Sequence, residues 1–509
     1  MKRRGFKPNL RTYHTMLSGY AKAPVTILTQ GAMERAQKIY EQYRIYCEQL
    51  PPDSTQRSPT PTNDYLRILA KNGRYEAMFE VFWEMPPTGP LAPDLVTFTE
   101  LLNAIRYRKT LPGVPGNAST ASEADIALRN ADDVNFMWKR LVGASERQGF
   151  KIDAYAVAPT IFALARGSVA AQEQAFSIVH DHLGFSPDAG TIPKPRKISL
   201  SSQLLTSVLE LCIITKNYER CAHYTTSVMR HKSESEPGVL QRGHMMSVLQ
   251  SLAALSSPQS SGVPGRAFAV VQWMLQEEAK GGWRRDLRPD INAYFQAFLA
   301  CRRSKDWVTA CKLFELMSGY RISDFERPSP ESRGCSAPSN HELPARFAIL
   351  PDPAIMNLMG RTATLSSSSR FEGSTPKPVT RIISDSGPIY TSLRVITHFG
   401  TDYLFGSLPA SRAAQAMDAS RNHRERLMNQ RRLAATILDL HECLTSSGAG
   451  GAKLGERGAD PSGASSPVLP PTLEELQRWK VVKAAALQFV KSTVRREKQA
   501  SGIDVRVQE

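Results

Sequence analysis

The feature that most constrains the fold of this chain is a two-helix phrase that recurs along more than half of its length. Each copy contains an apolar helix-length stretch, a short turn, a second amphipathic helix and an ending in Gly or Pro followed by Asp or Asn. In the clearest copy, residues 63–94, Tyr65, Ile68 and Leu69 share one helix face. Asn72-Gly73 supplies the turn. The pattern predicts helix pairs as the building unit.

The second helix of this copy also has an apolar face. Ala77, Val81 and Phe82 follow helical spacing and are predicted to be its buried residues. Pro86-Pro87 is expected to end the helix, because proline has no backbone N–H and clashes with the preceding turn.

Further copies pair a first helix with a second one. They lie at 12–20 with 31–50, 96–105 with 136–153, 155–166 with 170–182, 204–214 with 218–230, 245–255 with 267–280, and 291–303 with 306–317. A single pair cannot bury its apolar face, whereas stacked pairs can. Residues 1–322 are therefore predicted to form an all-α fold, a right-handed α-solenoid of about seven stacked antiparallel helix pairs. A non-repetitive all-α domain is the alternative.

The remainder of the chain is less regular. We expect a Pro/Ser-rich linker with a short helix at 323–388, a helical segment at 389–445, a Gly/Ser/Pro linker at 446–470 and a basic amphipathic helix at 471–500. Residues 389–408 fit a strand or a helix equally well. The last helix opens with a Thr472-x-x-Glu475 capping box, and it is interpreted as a cap on the array or as a partner-binding helix.

The amino-acid composition indicates which kinds of binding partner the protein could have. The 509 residues include 64 Lys and Arg against 48 Asp and Glu, a formal net charge of +16, which favours an anionic partner such as nucleic acid or an acidic lipid surface. The sequence contains no run of 18 apolar residues, so a membrane-spanning helix is not predicted. The 7 cysteines are widely spaced without a Cys-x-x-Cys pair, which indicates reduced thiols rather than a disulfide framework.

The N-terminus lacks the features of a signal peptide, because Lys2–Arg4 is followed by Gly-Phe-Lys-Pro and not by an apolar core. The chain opens in the middle of a repeat. We therefore expect a truncated N-terminus, with further units and any targeting segment upstream.

Three stretches resemble the pentatricopeptide repeat family. They are GFKPNLRTYHTMLSGYAK (5–22), APDLVTFTELLNAI (92–105) and LRPDINAYFQAF (287–298). The family unit of about 35 residues typically opens with Val-Thr-Tyr-Asn and closes with Gly-x-x-Pro-Asp. The basic, insertion-rich array is similar to mitochondrial members of fungal type. Tetratricopeptide arrays are the neighbouring alternative, but their Trp-Leu-Gly-Tyr signature is absent.

The resemblance implies binding of single-stranded RNA with about one base per unit. Each base would be read by a polar residue early in the first helix and by another at the end of a unit. The first-helix candidates are His14, Asn63, Thr99 and Phe295, and the unit-end candidates are Asn9 and Asp94. Asn63 with Asp94 is similar to a pyrimidine-reading pair that prefers uracil. His14 and Phe295 depart from the family pattern, and Phe295 could stack on a base or belong to the core.

Basic residues late in the first helices are candidates for phosphate contacts. They are Lys22, Lys71, Arg302 and Arg303. A repeated cation on one face would give salt-dependent RNA binding. The alternative is a solvated helix end, where cations are favoured by the helix dipole.

Enzymatic activity is not expected. A cytidine-deaminase-like site needs His-x-Glu with a Cys-x-x-Cys to hold zinc. His423-Arg424-Glu425 supplies the first element, but the second is missing. We expect no catalytic residues, no metal and no cofactor.

The sequence therefore predicts a sequence-selective RNA-binding protein of mitochondrial RNA metabolism, acting in transcript stabilisation, processing or translation. One alternative is a protein-interaction scaffold associated with the mitochondrial ribosome or its assembly. A second is a tetratricopeptide-like chaperone adaptor with a basic groove that binds carboxylates.

Overall fold

The computed structural model divides the chain into two compact units. Unit 1 comprises Met1–Ser247 and unit 2 comprises Val248–Glu509. The residues that the structure describes are 8–109, 122–186, 194–230, 239–260, 262–281, 286–326, 349–370, 381–383, 387–400, 405, 419–448 and 471–500. Cys335 and much of the predicted linkers at 323–388 and 446–470 lie outside them.

Unit 1 contains five helix pairs within its described residues, and the two helices of each pair contact each other. They are α1 (Leu10–Lys22) with α2 (Gln30–Glu48), α3 (Thr60–Lys71) with α4 (Tyr75–Glu84), α5 (Leu95–Tyr107) with α6 (Glu123–Gln148), α7 (Ala154–Leu164) with α8 (Val169–Leu183), and α9 (Ser202–Ile214) with α10 (Tyr218–Arg230). A 3-10 turn, Val25–Ile27, precedes α2, and α11 (Arg242–Leu255) carries the boundary between the units.

The first helices of unit 1 pack side by side in chain order. α1 contacts α3, α3 contacts α5, α5 contacts α7 and α7 contacts α9. We call this row the first-helix layer. Its apolar faces are fully buried, as at Leu17, Leu66 and Leu101. Stacking of this kind is what an α-solenoid requires, so the predicted all-α fold of stacked helix pairs is confirmed.

The second helix of the clearest repeat differs from the prediction in its buried face. In α4 the buried residues are Met78 and Phe82, whereas Ala77 and Val81 are half-buried. Met78 and Phe82 lie one turn apart and together remove much more apolar surface from water than Ala77 does. The helix is therefore rotated by one residue from the predicted orientation.

The Asp or Asn that ends a repeat begins the next first helix. Asn9, Asp94, Asp153 and Asp290 are N-caps whose side chains accept a hydrogen bond from the backbone N–H of the third helical residue, at 2.8–3.0 Å. Each such cap stabilises its helix by about 1 kcal/mol. The recurring unit ending is thus also a helix start signal.

Unit 2 is also mainly helical. Its further helices are α12 (Val263–Ala279), α13 (Ile291–Ser304), α14 (Trp307–Ser318), α15 (Ser323–Glu326), α16 (Pro353–Ser367), α17 (Gly387–Phe399), α18 (Ala419–Gly448) and α19 (Leu473–Ala500). Strands β1 (Ser368–Arg370) and β2 (Arg381–Ile383) pair antiparallel, with Ser369 opposite Ile382. This pairing of two three-residue strands is a local exception within an otherwise helical fold.

In unit 2 a layer of first helices extends past residue 322, where the sequence placed the end of the array. α13 packs on α16 and α16 on α18, while α13 contacts α14, α16 contacts α17 and α18 contacts α19. The segment 389–408, ambiguous in the sequence, is helical in its described part, α17. Helices α16 to α19 therefore form two further pairs.

The last helix is attached to unit 2 by a buried ion pair. Arg394 on α17 donates from Nε and Nη2 to Glu475 on α19, at 3.0 and 3.2 Å, and from Nη1 to the carbonyl of Glu326 on α15 at 2.9 Å. Glu475 also completes the predicted capping box with Thr472. Trp479 and Val482 are buried beside it. These contacts fit the interpretation of α19 as a structural element of the fold.

The cysteines and the apolar character of the helices can be compared with the predictions from the sequence. The described cysteines are all free thiols: Cys47, Cys212, Cys221, Cys301, Cys311 and Cys443. Among the described residues, none of the helices has the length and apolar character needed to cross a bilayer.

A close approach of α16 and α18 makes Gly360 sensitive to substitution. A Cβ at this position would lie 2.7 Å from Cγ2 of Thr436, whose hydroxyl is held by hydrogen bonds. We expect Gly360→Ala to destabilise the protein by about 1 kcal/mol, because overpacking outweighs the gain in helix propensity.

The matched control is Gly19→Ala in α1, where a Cβ would meet nothing within 4 Å. This change should stabilise the protein by roughly 0.5–1 kcal/mol. Urea unfolding followed by circular dichroism measures both variants. A neutral or stabilising Gly360→Ala would contradict the described packing of α16 on α18.

Candidate nucleic-acid interface

The predicted base-reading pair Asn63 and Asp94 is brought together where α3 and α5 meet. Asn63 Nδ2 donates to Asp94 Oδ1 at 3.0 Å, and Asn63 Oδ1 accepts from the Thr97 hydroxyl at 2.6 Å. Asp94 Oδ1 also accepts from the Thr97 backbone N–H at 2.8 Å. The three side chains therefore form one hydrogen-bonded network across two neighbouring repeats.

This network decides which atoms can face a ligand. Asn63 is only 4% exposed, and both ends of its amide are engaged. Asp94 is half-buried, and its Oδ2 has no hydrogen bond to any residue that the structure describes. In this conformation Asp94 Oδ2 is the available acceptor, and Asn63 positions it.

A second contact joins the same two helices one turn further on. Arg67 Nε on α3 donates to Glu100 Oε1 on α5 at 3.0 Å. Together with the Asn63–Thr97 bond, this pair fixes the register of α5 against α3. We call the combination of Asn63, Arg67, Thr97 and Glu100 the α3–α5 lock.

His14 lies on α1, in the same first-helix layer. Its Nδ1 lies 2.8 Å from Asp64 Oδ2, and its side chain is 44% exposed. Burial raises the pKa of the Asp64 carboxyl, and the neighbouring His14 and Arg67 oppose that shift. His14 Nε2 has no partner among the described residues. It can therefore donate to or accept from a ligand.

The remaining base-reading candidates differ in exposure. Asn9 is exposed and caps α1, and Thr99 is half-buried with its hydroxyl donating to the Leu95 carbonyl at 2.8 Å. The Thr99 oxygen keeps lone pairs that can accept. Phe295 is half-buried on α13 in unit 2.

The four cations predicted to contact phosphates differ in their surroundings, and Arg302 is half-buried on α13. Lys71 Nζ donates to the carbonyls of Ala21 and Ala23, and Arg303 donates to the carbonyl of Ala253, so each closes the C-terminal end of a preceding first helix. By contrast, Lys22 is exposed and has no partner within the described part of the chain. For Lys71 and Arg303 the geometry thus gives a structural role beside any role in binding.

A network of the same form joins α9 and α11, and it was not predicted from the sequence. Thr206, at the place in α9 that Asn63 has in α3, lies 2.9 Å from His244 Nε2. His244 Nδ1 accepts from the Gln241 backbone N–H at 3.0 Å, as a capping side chain does. A Thr followed at the next helix start by Gln-x-x-His is not a recognisable family motif. Only the shared spacing could have revealed it.

Cations and an aromatic ring also cluster in the middle of the layer. The guanidinium carbons of Arg106 on α5 and Arg166 on α7 lie 3.8 and 3.6 Å from the ring centroid of Phe162. Glu210 on α9 is 3.7 Å from Arg166. Arg106, Arg166 and Glu210 together carry two positive charges and one negative charge, so the cluster has excess positive charge. It is a further place for a phosphate group.

Two first helices of the layer also begin with an exposed apolar side chain. Tyr155, the second residue of α7, is 71% exposed, and Val96, the second residue of α5, is 46% exposed. An exposed ring of this kind can stack on a base. Among the described residues, no group of three or more His, Cys, Asp or Glu side chains is arranged to hold a metal ion.

Comparison with solved structures finds the pentatricopeptide repeat protein PPR10 in complex with an 18-nucleotide psaJ RNA element. The identity is 13%, the TM-score is 0.36, and the match covers 89% of this chain and 56% of that one. A cysteine-to-serine variant of PPR10 with the same RNA element gives the same values. This chain therefore spans about half the length of those structures. No protein-family model and no curated protein sequence matches it.

The hydrogen bonds of His244 predict a pH dependence of stability. Burial lowers the pKa of this imidazole, and the backbone N–H donated to Nδ1 requires that nitrogen to be unprotonated. A lowered folded-state pKa means that the unfolded chain binds the proton more readily. Stability is therefore full above the unfolded pKa of about 6.5 and is lost as pH falls through the folded pKa.

We expect His244→Gln to lose less stability than the wild type when pH is lowered from about 7.5 to 5, with a difference of at most about 1.4 kcal/mol per pH unit. Urea unfolding at several pH values measures it. The other buried histidines are present in both proteins, so the difference between the two curves reports His244. Parallel curves would show that His244 is not held neutral.

Proposed function

We propose that this protein binds single-stranded RNA along its first-helix layer and acts in mitochondrial RNA metabolism. The observation that carries the proposal is that polar atoms available to a ligand lie near the starts of the first helices α1 and α5 of this layer. His14 Nε2, Asp94 Oδ2 and the Thr99 hydroxyl lie at such places on α1, at the start of α5 and on α5 itself. A row of this kind suits a ligand that repeats along its length.

The spacing of the layer is compatible with a nucleotide strand. Neighbouring packed helices lie about 8–10 Å apart, and a single strand can be read at about one base per helical repeat. Lys22 and the Arg106–Phe162–Arg166 cluster supply cations for the phosphates. The net charge of +16 adds a long-range attraction to RNA.

The chemistry of Asp94 favours uracil. Its free carboxylate oxygen is an acceptor, and the Watson–Crick edge of uracil offers the N3–H donor, whereas cytosine offers an acceptor at that position. The network with Asn63 and Thr97 holds the carboxylate in place before RNA arrives. Preorganisation of this kind reduces the cost of binding.

The proposed mechanism is occupancy. A strand held on the first-helix layer is shielded from nucleases or kept open for another factor, and no covalent chemistry by the protein is required. Action on mitochondrial transcripts, through stabilisation, processing or translation, follows from the resemblance to mitochondrial pentatricopeptide proteins and is part of the proposal.

Replacing Asp94 by Asn tests the base assignment without removing the helix cap. Asn caps helices as well as Asp does, but its amide presents a donor where the Asp94 carboxylate presents an acceptor. We expect Asp94→Asn to weaken binding of oligo(U) by about 5–30-fold, equivalent to roughly 1–2 kcal/mol. One U→C change in the oligonucleotide, at the position facing Asp94, should restore part of the affinity.

Fluorescence anisotropy with labelled 20-nucleotide RNAs, each carrying one U→C change, measures this preference. Gly19→Ala serves as a control variant that leaves the layer's polar atoms in place. If Asp94→Asn retains the wild-type preference at every position, Asp94 does not read a base. If the wild type binds none of the RNAs, the proposed function is wrong.

A scaffold for proteins is the second candidate function, and two of the second helices favour it. Trp83 on α4 and Phe136 on α6 are 48% and 49% exposed, and the Arg140 guanidinium lies 4.3 Å from the Trp83 ring centroid. Exposed aromatic and Arg side chains are enriched at protein interfaces.

Crosslinking in cells separates the two functions. We expect the tagged full-length protein to reside in mitochondria and, after ultraviolet irradiation, to carry a few sharp footprints on mitochondrial messages. Sequencing of the bound RNA is the measurement. Footprints confined to ribosomal RNA, together with co-purified ribosomal proteins, would support the scaffold instead.

A further inference from the structure

Helix α19 of unit 2 has apolar side chains on two opposite faces. One face attaches the helix to the unit, because Trp479, Val482 and Ala486 are buried and α19 packs on α18 and α17. On the opposite face Leu473 and Val481 are 76% and 65% exposed. A helix that served only to complete the fold would be expected to carry polar side chains on this second face.

The exposed side chains form a regular stripe along the helix. Its centre line advances by alternating steps of four and three residues, which is the spacing of one helix face and of a seam that packs against a second helix. The residues of the centre line are all exposed: Leu473, Gln477, Lys480, Ala484, Leu487 and Lys491. Leu476 and Val481 lie beside it and are exposed as well. We call these residues the α19 stripe, which is about 27 Å long at about 1.5 Å per residue.

The charge of the α19 stripe is positive and is not compensated within the protein. Lys480 and Lys491 have no acidic partner among the residues that the structure describes. Glu474, an exposed acidic residue near the start of α19, lies 3.7 Å from Arg478. Glu475 is buried in its ion pair with α17. Apolar side chains beside unpaired cations are complementary to an apolar surface that carries carboxylates.

This combination distinguishes between the possible occupants. A second copy of the stripe would add cations to a surface that already has an excess of them. A lipid surface would require an apolar centre line, whereas Lys480 stands between Leu473 and Leu487 and the stripe contains no aromatic side chain. RNA would neutralise the lysines but leave the aliphatic side chains uncovered. A helix with an apolar seam and acidic flanks satisfies both features of the stripe.

We propose that the α19 stripe is a docking surface for an acidic amphipathic helix of a partner protein. The apolar seam of the partner packs on Leu473, Val481 and Leu487, and carboxylates on its flanks pair with Lys480 and Lys491. The buried face of α19 already holds the stripe in place, so binding does not have to order this helix. The inference goes beyond RNA binding and does not depend on it.

Two synthetic peptides with the same apolar seam and opposite charge serve as probes. The acidic peptide consists of four Glu-Ile-Ala-Ala-Leu-Glu-Glu heptads, and the basic peptide has Lys in place of every Glu. Fluorescence anisotropy of each labelled peptide with the full-length protein measures binding. We expect the acidic peptide to bind at least about 10-fold more tightly than the basic one.

Two double variants locate the binding. Val481→Gln with Leu487→Gln removes apolar contacts without changing the charge, and Gln is a good helix former. We expect this variant to bind the acidic peptide about 10-fold more weakly. Lys480→Glu with Lys491→Glu should reduce the ratio of the two peptide affinities by about 10-fold, because it replaces attraction to the acidic flanks by repulsion.

Val308→Gln provides the matched control for Val481→Gln. Val308 lies on α14 of the same unit and is 64% exposed, which is close to the exposure of Val481. We expect Val481→Gln alone to weaken binding of the acidic peptide about fivefold. Val308→Gln should change it by less than about twofold.

Three results would overturn the proposal. In the first, the wild type binds neither peptide. In the second, the Val481→Gln, Leu487→Gln variant binds the acidic peptide as tightly as the wild type does, which would assign binding to the general positive charge of the protein. In the third, this variant instead loses self-association in sedimentation, or loses flotation with phosphatidylserine vesicles, which would assign the stripe to a second copy or to lipid. RNA affinity, measured on the same variant, should equal that of the wild type, so a failure of the proposed function is seen separately.

Discussion

Lateral packing of neighbouring first helices is the constraint on which the rest of the structure depends. The buried apolar side chains, such as Leu66 and Leu101, drive this packing but are not directional, so they do not fix how far one helix slides along the next. Hydrogen bonds and ion pairs fix this position. Asn63 with Thr97 and Arg67 with Glu100 hold α5 in one register against α3. The helix caps and the available polar atoms are aligned because that register is fixed.

The register is kept even where the side chains differ. Thr206 and His244 join α9 to α11, and Asn357 and Thr436 join α16 to α18, with the same relation between a residue early in one first helix and one in the next. Polar contacts of this kind cost little when fully satisfied and specify a single arrangement. Each unit, although its repeats are degenerate, can therefore keep a regular layer of first helices on which a repeating ligand could lie.

Local patterns in the sequence predicted much of the fold. The apolar periodicity of each repeat, as at Tyr65, Ile68 and Leu69, predicted the helices of unit 1, whereas the Asp and Asn residues at the repeat endings were not identified as the N-caps that begin the next helices. Helix pairs α16–α17 and α18–α19 were not recognised, because a long insertion, 327–348, separates them from the preceding repeats and the repeat ending is lost. The hydrogen bonds between neighbouring first helices could not be predicted for another reason. Asn63 and Thr97 are 34 residues apart, and Asn357 and Thr436 are 79 apart, so only the fold brings them together.

The candidate site, too, could be predicted only in part from the sequence. The sequence placed Asn63 and Asp94 together, but residue type alone could not show that the amide is used for packing while the carboxylate keeps a free oxygen. Likewise, Lys22 and Lys71 occupy equivalent positions, yet Lys71 bonds to the preceding helix and Lys22 does not. Such differences depend on neighbours that lie far away in the chain. They decide which atoms remain available for RNA.

The central claim is that RNA lies on the first helices, and mapping crosslinks on the purified protein tests it most directly. The full-length chain would be irradiated with oligo(U) containing 4-thiouridine, and the crosslinked peptides identified by mass spectrometry. We expect crosslinks in first helices, at peptides that contain His14, Asp94 with Thr99, and Tyr155. Crosslinks concentrated on the second helices α2, α4 and α6, or spread without preference over both sets, would contradict the claim.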